Sequence, residues 1–144
     1  MLHINELPCH HVLIKLDGPT TSSDGFSGPI SKLLKKVNQF EFNSNFAKID
    51  VEKLITIPED ILKNMSDDQK NCYSLHDAIR TGEFPRELQL IKCGKINHAR
   101  WLTTGEALLM LYTRKHGLSQ ENSDKLKTIV HFAMSHYFKL YFEI

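Results

Sequence analysis

The stretch from Ile96 to Leu118, INHARWLTTGEALLMLYTRKHGL, constrains this chain most, because it holds the only tryptophan and the clearest helix signal. The rest of the chain has to pack around it. Thr103 and Glu106 have the spacing of a capping box, in which the hydroxyl takes an orphan backbone N–H and the carboxylate reaches back to the cap. The pattern predicts a helix from about Thr104 to His116. Ala107, Leu108, Leu111 and Tyr112 fall on one face, and Leu109 and Met110 widen it. Arg114, Lys115 and His116 before Gly117 are the cations and the glycine expected at a helix stop. Arg100 and Trp101 stand just ahead of the expected cap, where an indole seals the helix entrance and a guanidinium can meet a carboxylate or phosphate.

At 144 residues, 41% apolar and 24% charged, the chain has the make-up of one globular domain spanning 1–144. A formal charge of +1 leaves any attraction to nucleic acid or anionic lipid to local patches, the densest being Lys32, Lys35 and Lys36. Cys9, Cys72 and Cys93 are odd in number and widely spaced, which reads as reduced, intracellular thiols. The N-terminal residues MLHINELPCHH carry no leader pattern, and no run approaches the roughly 18 apolar residues of a membrane span.

Taken in order, Asn5 can cap a first helix with Glu6 and Pro8 in its opening turn and Leu7, Val12, Leu13 and Leu16 as its stripe. Residues 17–28 are dense in Gly, Ser, Thr and Asp and read as a loop with no strand, with Phe26 plugging it onto the core. A second helix opens at Ser27 or Gly28 and Pro29 and turns Ile30, Leu33, Leu34 and Val37 inward. Residues 38–57 read as irregular. Pro58 starts a short helical turn, Ser66 with Gln69 makes a capping box for a helix that stops at Gly82, and Pro85 opens another turn. Ser119 caps a final long helix to Tyr141, with Leu126, Ile129, Val130, Ala133, Tyr137, Leu140, Tyr141 and Ile144 as its stripe. That stripe runs off the end of the chain, so FKLYFEI predicts apolar surface left uncovered there. The fold class expected is mainly α, with five or six helices.

No constellation of chemistry-bearing residues stands out. His3, Cys9, His10 and His11 suit zinc by type, but consecutive helical positions point about 100° apart and cannot converge on one ion. His131 and His136 are five apart, missing the helical metal pair. The acids have cap or surface explanations, there is no nucleophile elbow or phosphate loop, and no cofactor, metal or catalytic residue is expected. Phe40, Phe42 and Phe46 read as core aromatics in preference to a base-stacking platform.

Three ordered blocks, LHINELPCHH, KLDGPTTSSDGFSGPISKLL and GKINHARWLTTGEALLMLY, resemble a family of transposon-derived proteins common in arthropod genomes, the hAT-type transposases. The resemblance runs from His3 to about Tyr141. It implies a ribonuclease-H-like core interrupted by a mostly helical insertion, of which this chain would be a fragment. His3, Asn5 and Glu6 match the family's LH-x-NELP block, where the histidine belongs to a Cys-x-x-His motif, and Arg100 and Trp101 match an Arg-Trp pair of the insertion. The motif's cysteine would precede Met1. Cys9-His10 and Gly105-Glu106 depart from the Leu-Arg and Ala-Asn of relatives. The resemblance places the family's two aspartates before Met1 and its glutamate beyond Ile144, so the two-metal chemistry they support is not expected of this chain.

The expected function is therefore that of a non-catalytic, transposase-derived fragment, nuclear if the resemblance holds. Weak DNA contact would come from Lys32, Lys35, Lys36, Arg100, Arg114 and Lys115. The alternative is a host-recruited helical module that binds protein through exposed apolar termini, and neither reading involves a membrane.

Overall fold

The computed structural model describes residues 7–17, 20–22, 25–26, 28–97 and 100–143. The protein is mainly α, and one core cluster joins described residues from Cys9 to Phe142. Helix α1 spans Leu7–Asp17 and α2 spans Pro29–Leu34, followed by a 3₁₀ turn at Val37–Gln39. Between α1 and α2 the expected loop instead holds an antiparallel hairpin of β1 (Thr20–Ser22) and β2 (Gly25–Phe26), paired Thr20 with Phe26 and Ser22 with Gly25. Turn-rich composition reads as loop, but it also suits a hairpin too short to show alternation. Asn5 and the side chain of Phe26 lie outside the described residues.

Asp17 explains how α2 begins. Its carboxylate accepts from the backbone N–H groups of Ile30 and Ser31, both at 2.7 Å, so an orphaned helix start is capped from another element. Gly28 makes this approach feasible, since a Cβ there would lie 1.8 Å from the Asp17 carbonyl oxygen. Ile30, Leu34 and Val37 then face the core and Lys32, Lys35 and Lys36 face solvent, as their spacing predicts.

Residues 40–57 are irregular apart from one bridge between Phe42 and Arg114. They are fastened by backbone bonds from Asn43 to Thr113, Lys115 to Glu41 and Ile49 to Ile79, and by the Tyr112 hydroxyl on the Ala47 carbonyl. Phe42, Phe46, Phe84 and Tyr112 form an aromatic cluster with centroids 4.6–6.5 Å apart. These rings pack on one another, which is the core role read for Phe42 and Phe46.

Helix α3 spans Glu59–Lys63, α4 Asp67–Thr81 and α5 Arg86–Gln89. The capping box of α4 is complete: Ser66 N–H donates to Gln69 Oε1 at 2.9 Å and Gln69 N–H to Ser66 Oγ at 3.2 Å. Gly82 ends α4 in the left-handed region at φ 82°.

Helix α6 spans Trp101–Tyr112, and every residue from Trp101 to Leu111 is buried. It packs against α4, α2, the 3₁₀ turn and α7 (Gln120–Phe132), the arrangement of a helix at the centre of a core. It starts three residues before the predicted position. Thr103 and Glu106 do not form a box: the Thr103 hydroxyl accepts from Asn97 N–H at 2.9 Å, and Glu106 points into the core. Trp101 belongs to the first turn, only 6% exposed, edge-on to Tyr137 at 4.7 Å. Gly105 lets two rings cross the helix, since a Cβ there would meet Phe138 and Trp101 at 2.9 Å. The helix stops at Tyr112, four residues before the prediction, because Arg114 bridges to Phe42 and leaves the helical path.

Ser119 caps α7 (Gln120–Phe132) through Asn122 N–H, and a π-helical turn at Ala133–Tyr137 leads into α8 (Phe138–Phe142). The wider turn shifts the helix phase, so Met134, Phe138 and Phe142 are buried while Leu140 is exposed. The predicted apolar stripe is wrong there by that phase slip, and the C-terminal aromatics are covered by the protein's own core. The side chain of His76, on α4, holds the turn by bonding the Met134 carbonyl at 3.0 Å.

Candidate functional site

The cations predicted to touch DNA do not form one surface. Lys32, Lys35 and Lys36 share the exposed side of α2 and the residues after it. Arg100 is exposed before α6, and Arg114 and Lys115 follow its other end, about 18 Å away for twelve helical residues. Arg114 is not a surface cation. It is buried, its guanidinium donates to the carbonyls of Phe40 at 3.2 Å and Ile91 at 3.4 Å, and burial holds its pKa below the usual value. Its work is to join residue 40 and residue 91 to the end of α6, which removes it from the DNA-contact set. Lys115 is exposed and stands 3.7 Å from Glu41.

Of the residues nominated by resemblance, Arg100 and Trp101 divide their labour: the indole anchors in the core and the guanidinium projects to solvent. His3, Asn5 and Glu6 lie outside the described residues. Cys9 is buried and His11 exposed, so these two potential zinc ligands point to opposite sides of α1.

The chemically most unusual group is Glu106, which the sequence presented as a cap. It is 1% exposed on the central helix, and Oε2 has no hydrogen-bond partner. Burial first, then the Asp68 charge, pushes its carboxyl up to about 8, so it carries a proton at neutral pH. Asp68 and Asn71 approach from the first turns of α4, and Cys93 from the chain between α5 and α6. Burial also raises the Cys72 and Cys93 thiols, leaving both as poor nucleophiles. Asn38 fixes Cys93 in place with bonds of 2.8 and 2.9 Å to its backbone. This is a proton-holding joint between α4 and α6.

On the outer side of α4 lies an open groove of about 750 Å³. Asn71, Ser74, Asp77 and Thr81 of α4 form its floor, with Lys53, Leu54 and Thr56 on one wall and Glu87, Leu88 and Ile91 on the other. Among the described residues four large apolar side chains are exposed, Ile55, Ile61, Leu90 and Leu140. Ile55, Ile61 and Leu90 are chain neighbours of groove-lining residues and are not themselves part of the lining. The sequence offered no sign of this groove, because its lining is drawn from separate segments between Lys53 and Ile91 and one of them is irregular.

No protein-family model matches the chain, and no curated protein or solved structure does so either. No helix among the described residues is long and apolar enough to cross a membrane.

Proposed function

We propose that this chain is a non-catalytic helical binding module of transposase-derived origin, and that protein contact is its main activity. The observation that carries this reading is the open groove beside α4, whose lining mixes the apolar side chains of Leu54, Leu62, Leu88 and Ile91 with polar groups of α4. Recruitment by the host as an interaction module fits the same surface, with the docking site moved from the termini to the groove. Arg100 and Trp101 support the transposase-derived origin through the resemblance, standing at the entrance of the central helix. Contact with DNA is secondary and rests on Lys32, Lys35, Lys36, Arg100 and Lys115, which act as separate points of charge.

Purified protein is expected to leave supercoiled DNA intact in nicking and strand-transfer assays with Mg²⁺ or Mn²⁺. Metal-dependent cleavage abolished by replacing one Asp or Glu of this chain overturns the non-catalytic reading. Filter binding across a salt series is expected to give weak, sequence-indifferent association that fades as salt rises. Tight binding that survives high salt overturns the secondary place given to DNA.

A further inference from the structure

We propose that residues 91–97 form a strap across the seam between α4 and α6 that opens as a local unit, and that the carboxyl of Glu106 beneath it is its pH-sensitive latch. The bonding pattern sets this segment apart. Residues 91–96 make no backbone–backbone hydrogen bond among the described residues, whereas the irregular chain at 40–57 is fastened by several. Side chains of other elements hold the strap instead. Arg114 donates to the Ile91 carbonyl at 3.4 Å, Asn38 bonds both backbone groups of Cys93 at 2.8 and 2.9 Å, and the Thr103 hydroxyl accepts from Asn97 N–H at 2.9 Å. Of residues 91–97 only Cys93 is buried, so the strap itself contributes little apolar burial to hold it down.

The groups beneath the strap make its release depend on protons. The Cys93 thiol donates to Met110 Sδ on α6 at 2.8 Å, and the strap passes α4 at Gly94, where a Cβ would stand 3.8 Å from the Asp68 carboxylate. Glu106 faces Asp68, Asn71 and Cys72 from α4 and Cys93 from the strap, while Arg114 is the cation on the Cys93 side. Burial and the Asp68 charge keep Glu106 protonated while the strap is closed. Ionised in place, it would put a second negative charge beside Asp68 away from water, and Oε2 has no hydrogen-bond partner to share that charge. Helix α4 is capped at both ends and packed along α6, so the wall that yields is the strap. Opening returns Glu106 to the ordinary carboxyl range. The closed form is therefore firmest below pH 4.5 and loosens as pH rises toward 8, by up to about tenfold in the opening equilibrium per pH unit.

The experiment is alkylation of the native chain with iodoacetamide between about pH 5.5 and 8, with each cysteine followed by peptide mass spectrometry, in the parent and in Glu106→Gln. Ionisation of the thiol itself speeds alkylation equally in both proteins, so the ratio of the two Cys93 rates isolates the latch. That ratio, parent over variant, is expected to rise at least about tenfold across the range. Cys93 is expected to react ahead of Cys9, which is buried on α1 and reports global unfolding. Asn38→Ala, at an exposed position, is expected to speed Cys93 at every pH. Asp68→Asn removes the like charge and is expected to shrink the rise, which gives a second measure of the latch should the Gln variant not fold.

Parallel Cys93 profiles in the parent and in Glu106→Gln overturn the latch, as does a rise in Asp68→Asn equal to that of the parent. Cys93 reacting no faster than Cys9 overturns the strap as a local unit. Indifference of Cys93 to Asn38→Ala overturns the clamp that holds it.

Discussion

Helices α4 and α6 lie against each other, yet their ends are set by different physics. Helix α4 is half exposed, and local chemistry sets its limits: the Ser66 and Gln69 box starts it and Gly82 in the left-handed region stops it. Helix α6 is buried from Trp101 to Leu111, and its limits come from what it touches. Thr103 and Glu106 have box spacing too, but the hydroxyl serves Asn97 and the carboxyl meets α4. A capping motif is thus a dependable signal where water competes for both partners. Inside a core, tertiary contacts can claim the same side chains.

If that contrast is right, changes at α6 cost more than changes at the ends of α4. The largest effect is expected for Trp101→Ala, about 3 to 5 kcal/mol, the range for removing a buried aromatic. Denaturant unfolding measures it, and tryptophan emission in the parent protein should be blue-shifted relative to free indole. An unchanged midpoint together with water-like emission would break the contrast at its strongest point.

Glu106 comes next, and its sign follows from linkage. Its folded pKa of about 8 lies above the ordinary value of 4.5, so its contribution is fully present below 4.5 and is lost as pH rises toward 8. Stability should fall by up to about 1.4 kcal/mol per pH unit across that window, then level off as both states ionise. Glu106→Gln should remove this slope, which urea unfolding of both proteins at several pH values measures. Parallel pH profiles for parent and variant would show that Glu106 ionises normally and that α6 is wetter than its burial implies.

The trans cap of α2 gives a smaller test. Asp17→Ala leaves the N–H groups of Ile30 and Ser31 without their acceptor, at an expected cost of about 1.5 to 3 kcal/mol for charge-assisted bonds. Thermal unfolding checks it. Smallest of all, Ser66→Ala should cost about 1 kcal/mol, the ordinary value of an exposed cap. A loss at Ser66 as large as that at Trp101 would mean that local chemistry and core contacts weigh alike here.

What was legible in the sequence follows the same division. The starts of α4 and α7, the left-handed glycine at 82, the solvent-facing lysines on and just after α2 and the mainly α class were readable because they depend on neighbours in the chain. The π turn was not, since nothing in AMSHY marks an extra residue, and missing it placed Leu140 inward and left Phe138 and Phe142 off the stripe. Arg114 read as a helix-ending cation, the commonest place for one. Its burial depends on the carbonyls of Phe40 and Ile91, which only the fold brings to it. The candidate site was the least legible part, because the groove exists only where residues 53–56, α4 and α5 come together.

Residue-resolved hydrogen exchange tests the division between a buried centre and a locally capped periphery most directly. In the free protein the amides within α6 should exchange slowest, at rates set by global unfolding, while α5 and residues 53–57 exchange much faster. Exchange in α6 as fast as in α5 would contradict it.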